Sequence, residues 1–416
     1  MNITVIGAGL AGLSAAVRLA SEGHAVEVLD SAAQAGGRCR SYLDPQLGMT
    51  IDNGNHLVLS GNHATHDYLR TIGAEDRLVG PEDARFDFCD VRDGARWTIR
   101  PNLGPLAWWV FSPSRRVPGT RATEYLSLLS LLVGQGHRRI DQAIPCEGPL
   151  WERLLEPFLL AALNTKPEIG SARLAGAVIR ETLAMGGKHY RPRIAEPTLT
   201  AAFIDPAIAY LEARGGSVRL GERLVGVETT DDAITRLRFS GGEREVAEGE
   251  RIVLATPPWI TQSLLPEVPA PDEFKAIVNA HYRIAPPPGA AKMVGVIGGS
   301  VEWVFAFEDR LSVTVSGADD LVDKGREELA ELFWRDVAKV HGLGPDLPPW
   351  QIVKEKRATF AATPEQDAKR PGARTRWGNL VLAGDWTDTG LPATIEGAIR
   401  SGHKAADLVR QAASRT

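Results

Sequence analysis

The residues best suited to chemistry begin with Gly7-Ala8-Gly9-Leu10-Ala11-Gly12 and Asp30. Gly7, Gly9 and Gly12 follow the apolar run Ile3–Ile6 directly and open an Ala/Leu-rich stretch; Asp30 ends the next apolar run, Ala25–Leu29. Glycines at this spacing between a strand and a helix, with an acid about 20 residues on, form a dinucleotide-binding arrangement. The glycines keep the turn tight, and the backbone N–H groups around Leu10 and Ala11 approach a pyrophosphate at the positive end of the helix. The Asp30 carboxylate accepts hydrogen bonds from the adenosine ribose. The bland alternative is a Gly-rich turn without a ligand.

A second group lies five residues further on: Gly36, Gly37 and Arg38, then Ser41. A nicotinamide enzyme has no use for this loop. An extended FAD does, because its pyrophosphate and ribityl chain pass here. Gly36 and Gly37 permit close backbone approach, and Arg38 offers a planar donor fork to phosphate or to the flavin side. The alternative is a helix-capping turn with a solvated arginine. A third group is Leu382-Ala383-Gly384-Asp385, an apolar strand running into a carboxylate at its C-terminal end. Doubly wound sheets bind ligands there, and Asp385 is placed to hold ribityl hydroxyls. A helix opening at Thr394-Ile395 aims its N–H groups at the flavin N1/O2 edge, where they stabilise an anionic reduced flavin. The alternative is a plain N-cap.

These groups need a sheet to hold them together. Residues 1–60 read as a βαβ unit. A second block has a helix over 207–214 ended by Gly215-Gly216, strands over 217–220 and 222–227, a hairpin at Gly241-Gly242, and a strand over 251–256 stopped by Pro257-Pro258. A third runs from Gly378 into a helix over about 394–412. The intervening stretches carry more Trp and Pro and longer helical patterns. The expected fold is α/β: a discontinuous Rossmann-type FAD domain of the glutathione reductase/amine oxidase kind (1–60, 201–260, 371–416) with an inserted α+β substrate domain (61–200, 261–370).

The chain has 416 residues, 44% hydrophobic and 24% charged, enough for a large core and two domains. A net charge of -5 gives no reason to expect nucleic acid as a partner. Cys39, Cys89 and Cys146 show no metal-ligand spacing, so no metal and a reduced, cytoplasmic compartment are expected. The apolar strand starting at residue 2 leaves no room for a signal peptide, and no apolar run reaches the roughly 18–20 residues of a membrane span. Leu103–Phe111 and Tyr125–Val133 are the most apolar short segments. They read either as buried core or as the lipid-facing mouth of an apolar tunnel, with Trp108, Trp109 and Phe111 as candidate contacts to the inner face of the plasma membrane.

Taken together, these blocks resemble the amine oxidase and phytoene desaturase superfamily of FAD proteins, at both ends and in the middle of the chain. Ile51–Leu57, Leu150–Pro157, Ala161–Glu168 and the Gly384–Gly402 tail narrow the resemblance to its squalene-associated, desaturase-like bacterial branch. That branch commonly has Ala-Ser where Ile169-Gly170-Ser171 stands here, and Asp30 replaces the superfamily's commoner Glu. The resemblance implies noncovalent FAD, a thirty-carbon polyprenyl substrate, reductive loss of the hydroxyl of hydroxysqualene, and a functional link to squalene-forming synthases. It implies that Val225 pairs its backbone with the adenine edge, and that the loop with Gly54, Asn55 and His56 lies beside the isoalloxazine. His56 is then the candidate proton donor, with Asp52 to orient it or raise its pKa, unless His56 merely bonds backbone. Asn164 and Lys166 either shape the pocket or end a helix.

Three other functions stay open. A carotenoid-type desaturase or isomerase would run hydride the other way. A flavin amine oxidase usually needs an aromatic cage and often a C-terminal cysteine tether; here the cage position is Thr394 and no cysteine follows Cys146. A lipid escort without flavin is opposed by the intact glycines, Asp30, Arg38 and Asp385.

Overall fold

The computed structural model describes residues 1–133 and 136–413. One part of it is a parallel sheet in the order β3-β2-β1-β4-β5: β1 Asn2–Ile6, β2 Ala25–Asp30, β3 Ser217–Leu220, β4 Arg251–Leu254 and β5 Leu380–Leu382. Three distant stretches of chain therefore build one sheet. In β1, Ile3 to Ile6 are all buried, as expected of a strand covered on both faces. Helix α1 (Leu10–Ser21) follows the glycine turn, and α2 (Ile395–Ala413) crosses it. The crossing is close because Gly402 lies against Ala11 and Ser14, and Ser14 Oγ donates to the Ile399 carbonyl at 3.4 Å.

Observed bounds differ slightly from the sequence reading. The helix expected over 207–214 spans Asp205–Glu212, and the next strands are Leu224–Thr229, Ile234–Phe239 and Gly242–Glu245. Leu103–Phe111 ends in a 3-10 turn (Trp108–Phe111), and the other apolar segment forms a 3-10 turn (Ala122–Ser127) and a short helix (Leu128–Leu132).

A seven-stranded mixed sheet forms the second layer, in the order Trp350–Phe360, Phe274–Tyr282, Leu311–Val315, Trp303–Ala306, Met293–Ile297, Phe86–Asp90, Arg96–Ile99. All pairings are antiparallel except that of Met293–Ile297 with Phe86–Asp90. Helix Arg326–His341 covers one face through Leu329, Phe333 and Val337 against Val278, Val294 and Val313. The other face carries an aromatic layer, with Phe88 stacked on Trp97 and tilted against Trp303. That layer shares one apolar cluster with Trp151, Leu155, Leu159 and Leu163.

Candidate cofactor and active site

The glycine turn is held from three sides. Gly7 N–H donates to the Leu29 carbonyl at 2.7 Å, Ala8 N–H to Asp30 at 2.6 Å, and Gly36 N–H to the Ala8 carbonyl at 2.8 Å. The other Asp30 oxygen accepts the Ala32 N–H at 2.8 Å. An ideal Cβ on Gly12 would collide with the Gly7 carbonyl oxygen and lie 3.2 Å from the Ala255 Cβ. One on Gly9 would meet nothing within 4 Å. Gly12 is thus required by packing, whereas Gly9 faces open space. Leu10 and Ala11 are buried in the first turn of α1, whose N-terminus has no side-chain cap. Its first N–H groups have no intrahelical acceptor. An uncapped helix end behind an open glycine fits a pyrophosphate.

Gly36 and Gly37 have φ of 106° and 56°, conformations that L side chains resist. Beyond the sheet edge, Glu222 N–H donates to the Asp30 carbonyl at 2.8 Å, which brings the start of the next strand beside Asp30. Val225 falls at a register step there, between the pairs Leu224–Phe239 and Gly226–Arg238, and is 55% exposed.

Arg38 and Asp385 turn out to be partners. The Arg38 guanidinium donates to both Asp385 oxygens at 2.8 and 2.7 Å and to the Ala358 carbonyl at 2.5 Å. Burial opposes the arginine's charge, but the Asp385 carboxylate outweighs it and raises the Arg38 pKa. Two residues that the sequence offered separately to the cofactor therefore form one pair joining distant stretches of the chain. Gly384 N–H donates to Ser401 Oγ at 2.8 Å, and the buried Arg370 ties the Asp385 and Thr387 carbonyls together. Arg370 belongs to no motif, and sequence reasoning missed it. Thr394 Oγ1 accepts the Gly397 N–H at 3.0 Å and so caps α2, with Ile395 buried behind it.

The 51–57 loop departs from expectation. The expectation that Asp52 orients His56 is corrected. Asp52 accepts Ser41 Oγ at 2.6 Å and Leu199 N–H at 2.9 Å and pairs with the buried Arg310 at 3.4 Å, so its carboxylate serves the fold. His56 instead hydrogen-bonds the Arg38 backbone, and its Nε2 lies 4.0 Å from Cys39 Sγ. Burial and then the Arg38 charge push His56 down to about 4, which leaves it neutral at pH 7. Burial pushes the Cys39 thiol up to about 12. Asn55 Nδ2 donates to Thr314 Oγ1 at 3.0 Å and to the Val313 carbonyl at 3.2 Å, whereas its buried Oδ1 has no partner. Gly54 lies against Asn279.

Asn164 ends helix Glu156–Leu163 in a left-handed conformation; its Oδ1 accepts the Gly317 N–H at 2.6 Å and its Nδ2 donates to Thr359 Oγ1 at 3.0 Å. Lys166 is exposed. Trp108 and Phe111 are 53% and 74% exposed, but Trp109 is 6% exposed and packs edge-on against Tyr125, which corrects its assignment as a surface contact. Among the described residues, no His/Cys/Asp/Glu group could hold a metal, and no helix is long and apolar enough to cross a membrane.

Residues 10–410 match the profile of the flavin containing amine oxidoreductases. A hydroxysqualene dehydroxylase from Rhodopseudomonas palustris is 55% identical over 410 residues, covering 98% of each chain. A 15-cis-phytoene desaturase from Glycine max is 24% identical over 475 residues, covering 99% of this chain and 80% of that one. Among solved structures, an oxidoreductase from Methanosarcina mazei superposes with a TM-score of 0.72 at 16% identity, covering 98% of this chain and all of the other.

Proposed function

The chain belongs to the flavin containing amine oxidoreductases and, within them, to the hydroxysqualene dehydroxylase family; from that premise we propose that it converts hydroxysqualene to squalene by reductive loss of the hydroxyl. It is an FAD-dependent oxidoreductase. The observation that carries the substrate is the near full-length identity to hydroxysqualene dehydroxylases, against which the likeness to phytoene desaturases is distant.

In this reading Gly7, Gly9, Leu10, Ala11 and Gly12 hold the pyrophosphate, Asp30 and Val225 the adenosine, and Gly36, Gly37, Arg38, Gly384 and Asp385 the ribityl segment. Thr394 and Ile395 present the end of α2 to the N1 edge, with Gly54, Asn55 and His56 on the loop beside it. Bound and reduced, FAD supplies a hydride. The chain supplies the water-free pocket, the orientation and the proton. The segments 1–60, 201–260 and 371–416 form the cofactor half, and 61–200 with 261–370 the substrate half.

The aromatic layer around Phe88, Trp97 and Trp303 supports burial of a polyprenyl chain. Several hundred Å² of apolar surface at about 25 cal/mol per Å² makes that burial favourable, but the lipid must reach the pocket without crossing water. Leu106 and Phe111, at 80% and 74% exposed, together with Trp108 under the Arg115 guanidinium, suit a mouth seated on an anionic membrane surface at the inner leaflet. Squalene-forming synthases of the same pathway are the functional neighbours. The test is anaerobic incubation of reduced and of oxidised holoenzyme with hydroxysqualene, squalene and phytoene. Squalene from hydroxysqualene, with reduced enzyme only, is the expected outcome. More unsaturated products from squalene or phytoene with oxidised enzyme would assign a desaturase instead.

A further inference from the structure

Loss of a hydroxyl requires an acid, and several groups at the cofactor loops are poor ones. His56 is neutral at pH 7. Asp385 is paired with Arg38, Asp52 with Arg310, and Lys275 with Glu273 and Asp319.

Glu302 differs from all of these. It stands immediately before strand Trp303–Ala306, on the sheet that carries the aromatic layer. Its carboxylate oxygen accepts the Ser316 N–H at 2.9 Å, and the Ser316 hydroxyl also bonds it. Among the described residues it has no cationic partner. The charge that bears on it is Glu156, of the same sign, on helix Glu156–Leu163. Burial above all, and then Glu156, push its pKa up to about 8, against the bonds from Ser316. Glu302 is therefore a neutral carboxylic acid at pH 7.

Two routes of contact link this carboxyl to the cofactor loops. Arg38 bonds the Ala358 carbonyl; the next residue, Thr359, bonds Asn164; Asn164 bonds Gly317; and Ser316 beside it bonds Glu302. From the other side Asn55 bonds Thr314, which pairs across the sheet with Trp303, the neighbour of Glu302. Ser316 directly follows the strand Leu311–Val315 that carries Thr314. Glu302 thus borders the aromatic layer through Trp303 and bonds Ser316, two residues on from the Thr314 that holds Asn55.

We propose that Glu302 is the general acid that protonates the departing hydroxyl. The assignment rests on the hydroxysqualene reading. The carboxyl proton passes to the hydroxyl oxygen, the C–O bond breaks with its electron pair, and water leaves. The carbon receives a hydride from the two-electron-reduced flavin, and Glu302, left as carboxylate, regains its proton from solvent. A merely structural Glu302 would staple the turn at Ser316 and Gly317, and glutamine accepts the same Ser316 N–H.

The test compares holoenzyme with wild-type sequence, Glu302→Gln and Ser316→Ala. For Glu302→Gln the expectation is unchanged FAD content and melting temperature, KM within a few-fold, and kcat at least about 10²-fold lower. The wild-type rate should fall as pH rises through about 8, a limb absent from the residual activity of Glu302→Gln. Ser316→Ala removes a bond that favours the ionised form, so its limb should move to higher pH. Infrared difference spectra at pH 7 should show a protonated carboxyl band in the wild type and none in Glu302→Gln. Wild-type kcat in Glu302→Gln, an unmoved limb in Ser316→Ala, or no such band would overturn the assignment. Should Glu302→Gln not fold, the other two readouts decide it. A wild type inert toward hydroxysqualene that still shows the band would overturn the substrate reading alone.

Discussion

Replacing Gly9 and Gly12 by alanine, one at a time, separates ligand space from packing space within a single motif. Gly9 has φ −78° and ψ 177°, a conformation open to alanine, and its Cβ would meet nothing within 4 Å. The Gly9→Ala apoprotein should therefore match the wild type to within about 0.5 kcal/mol. Its methyl group would occupy the space assigned to the pyrophosphate. At Gly12 the added methyl lies 3.0 Å from the Gly7 carbonyl carbon and inside contact with its oxygen, while the far side is closed by Ala255. Overpacking of this kind costs about 1–3 kcal/mol before any ligand is considered. With FAD at a hundred times its dissociation constant, binding stabilises the wild type by about 2.7 kcal/mol. A hundredfold loss of affinity leaves about 0.4 kcal/mol. Thermal unfolding with and without excess FAD, with flavin absorbance of the desalted protein, reads all of this. Gly9→Ala should lose the FAD-dependent shift but not the apoprotein melting temperature, and Gly12→Ala should lose both. A Gly9→Ala protein that keeps stoichiometric FAD and the full shift would refute the placement of the pyrophosphate.

Asp52→Ala takes from Arg310 its buried carboxylate and leaves it only the exposed carboxylate of Asp309 at 3.1 Å, while Ser41 Oγ and the Leu199 N–H lose their acceptor; a loss of about 3 kcal/mol is expected by denaturant titration, and wild-type stability would contradict the pairing. His56 and His341 are held down at about 4 and His281 at about 3, all by burial first. Unfolded histidines take up protons near 6.5 while these do not, so stability should fall as pH drops from about 6.5 toward about 3 and level off below. His56→Gln should flatten part of that slope and leave FAD bound. Polar replacement of Leu106, Trp108 and Phe111 together should reduce flotation with anionic liposomes without lowering the melting temperature, whereas Trp109→Ser should destabilise the fold; unchanged flotation would clear the first three of the role.

The nucleotide-binding half was legible in the sequence because its signals are local. A buried strand, a glycine turn and a small-residue helix are adjacent in the chain, and each reports the next. What stayed hidden lies between distant residues. Arg38 meets Asp385 across 347 positions, and Asp52 meets Arg310 across 258. No spacing rule links either pair, so in the sequence Arg38 and Asp385 point toward a ligand, Asp52 toward its neighbour His56, and Arg310 carries no signal. Spacing also did not separate Trp108 from Trp109: one turn of 3-10 helix points one outward and the other at Tyr125. Glu302 carried a faint signal, a lone acid inside the apolar stretch from Met293 to Phe307. Its neutrality depends on a strand and a helix that only the fold brings together.

The most direct measurement is a single turnover. Anaerobically reduced holoenzyme is mixed with hydroxysqualene, and flavin absorbance and extracted product are followed together. The expected result is one squalene formed for each flavin reoxidised. Flavin that stays reduced while hydroxysqualene is recovered intact would contradict the reductive dehydroxylation on which the functional reading rests.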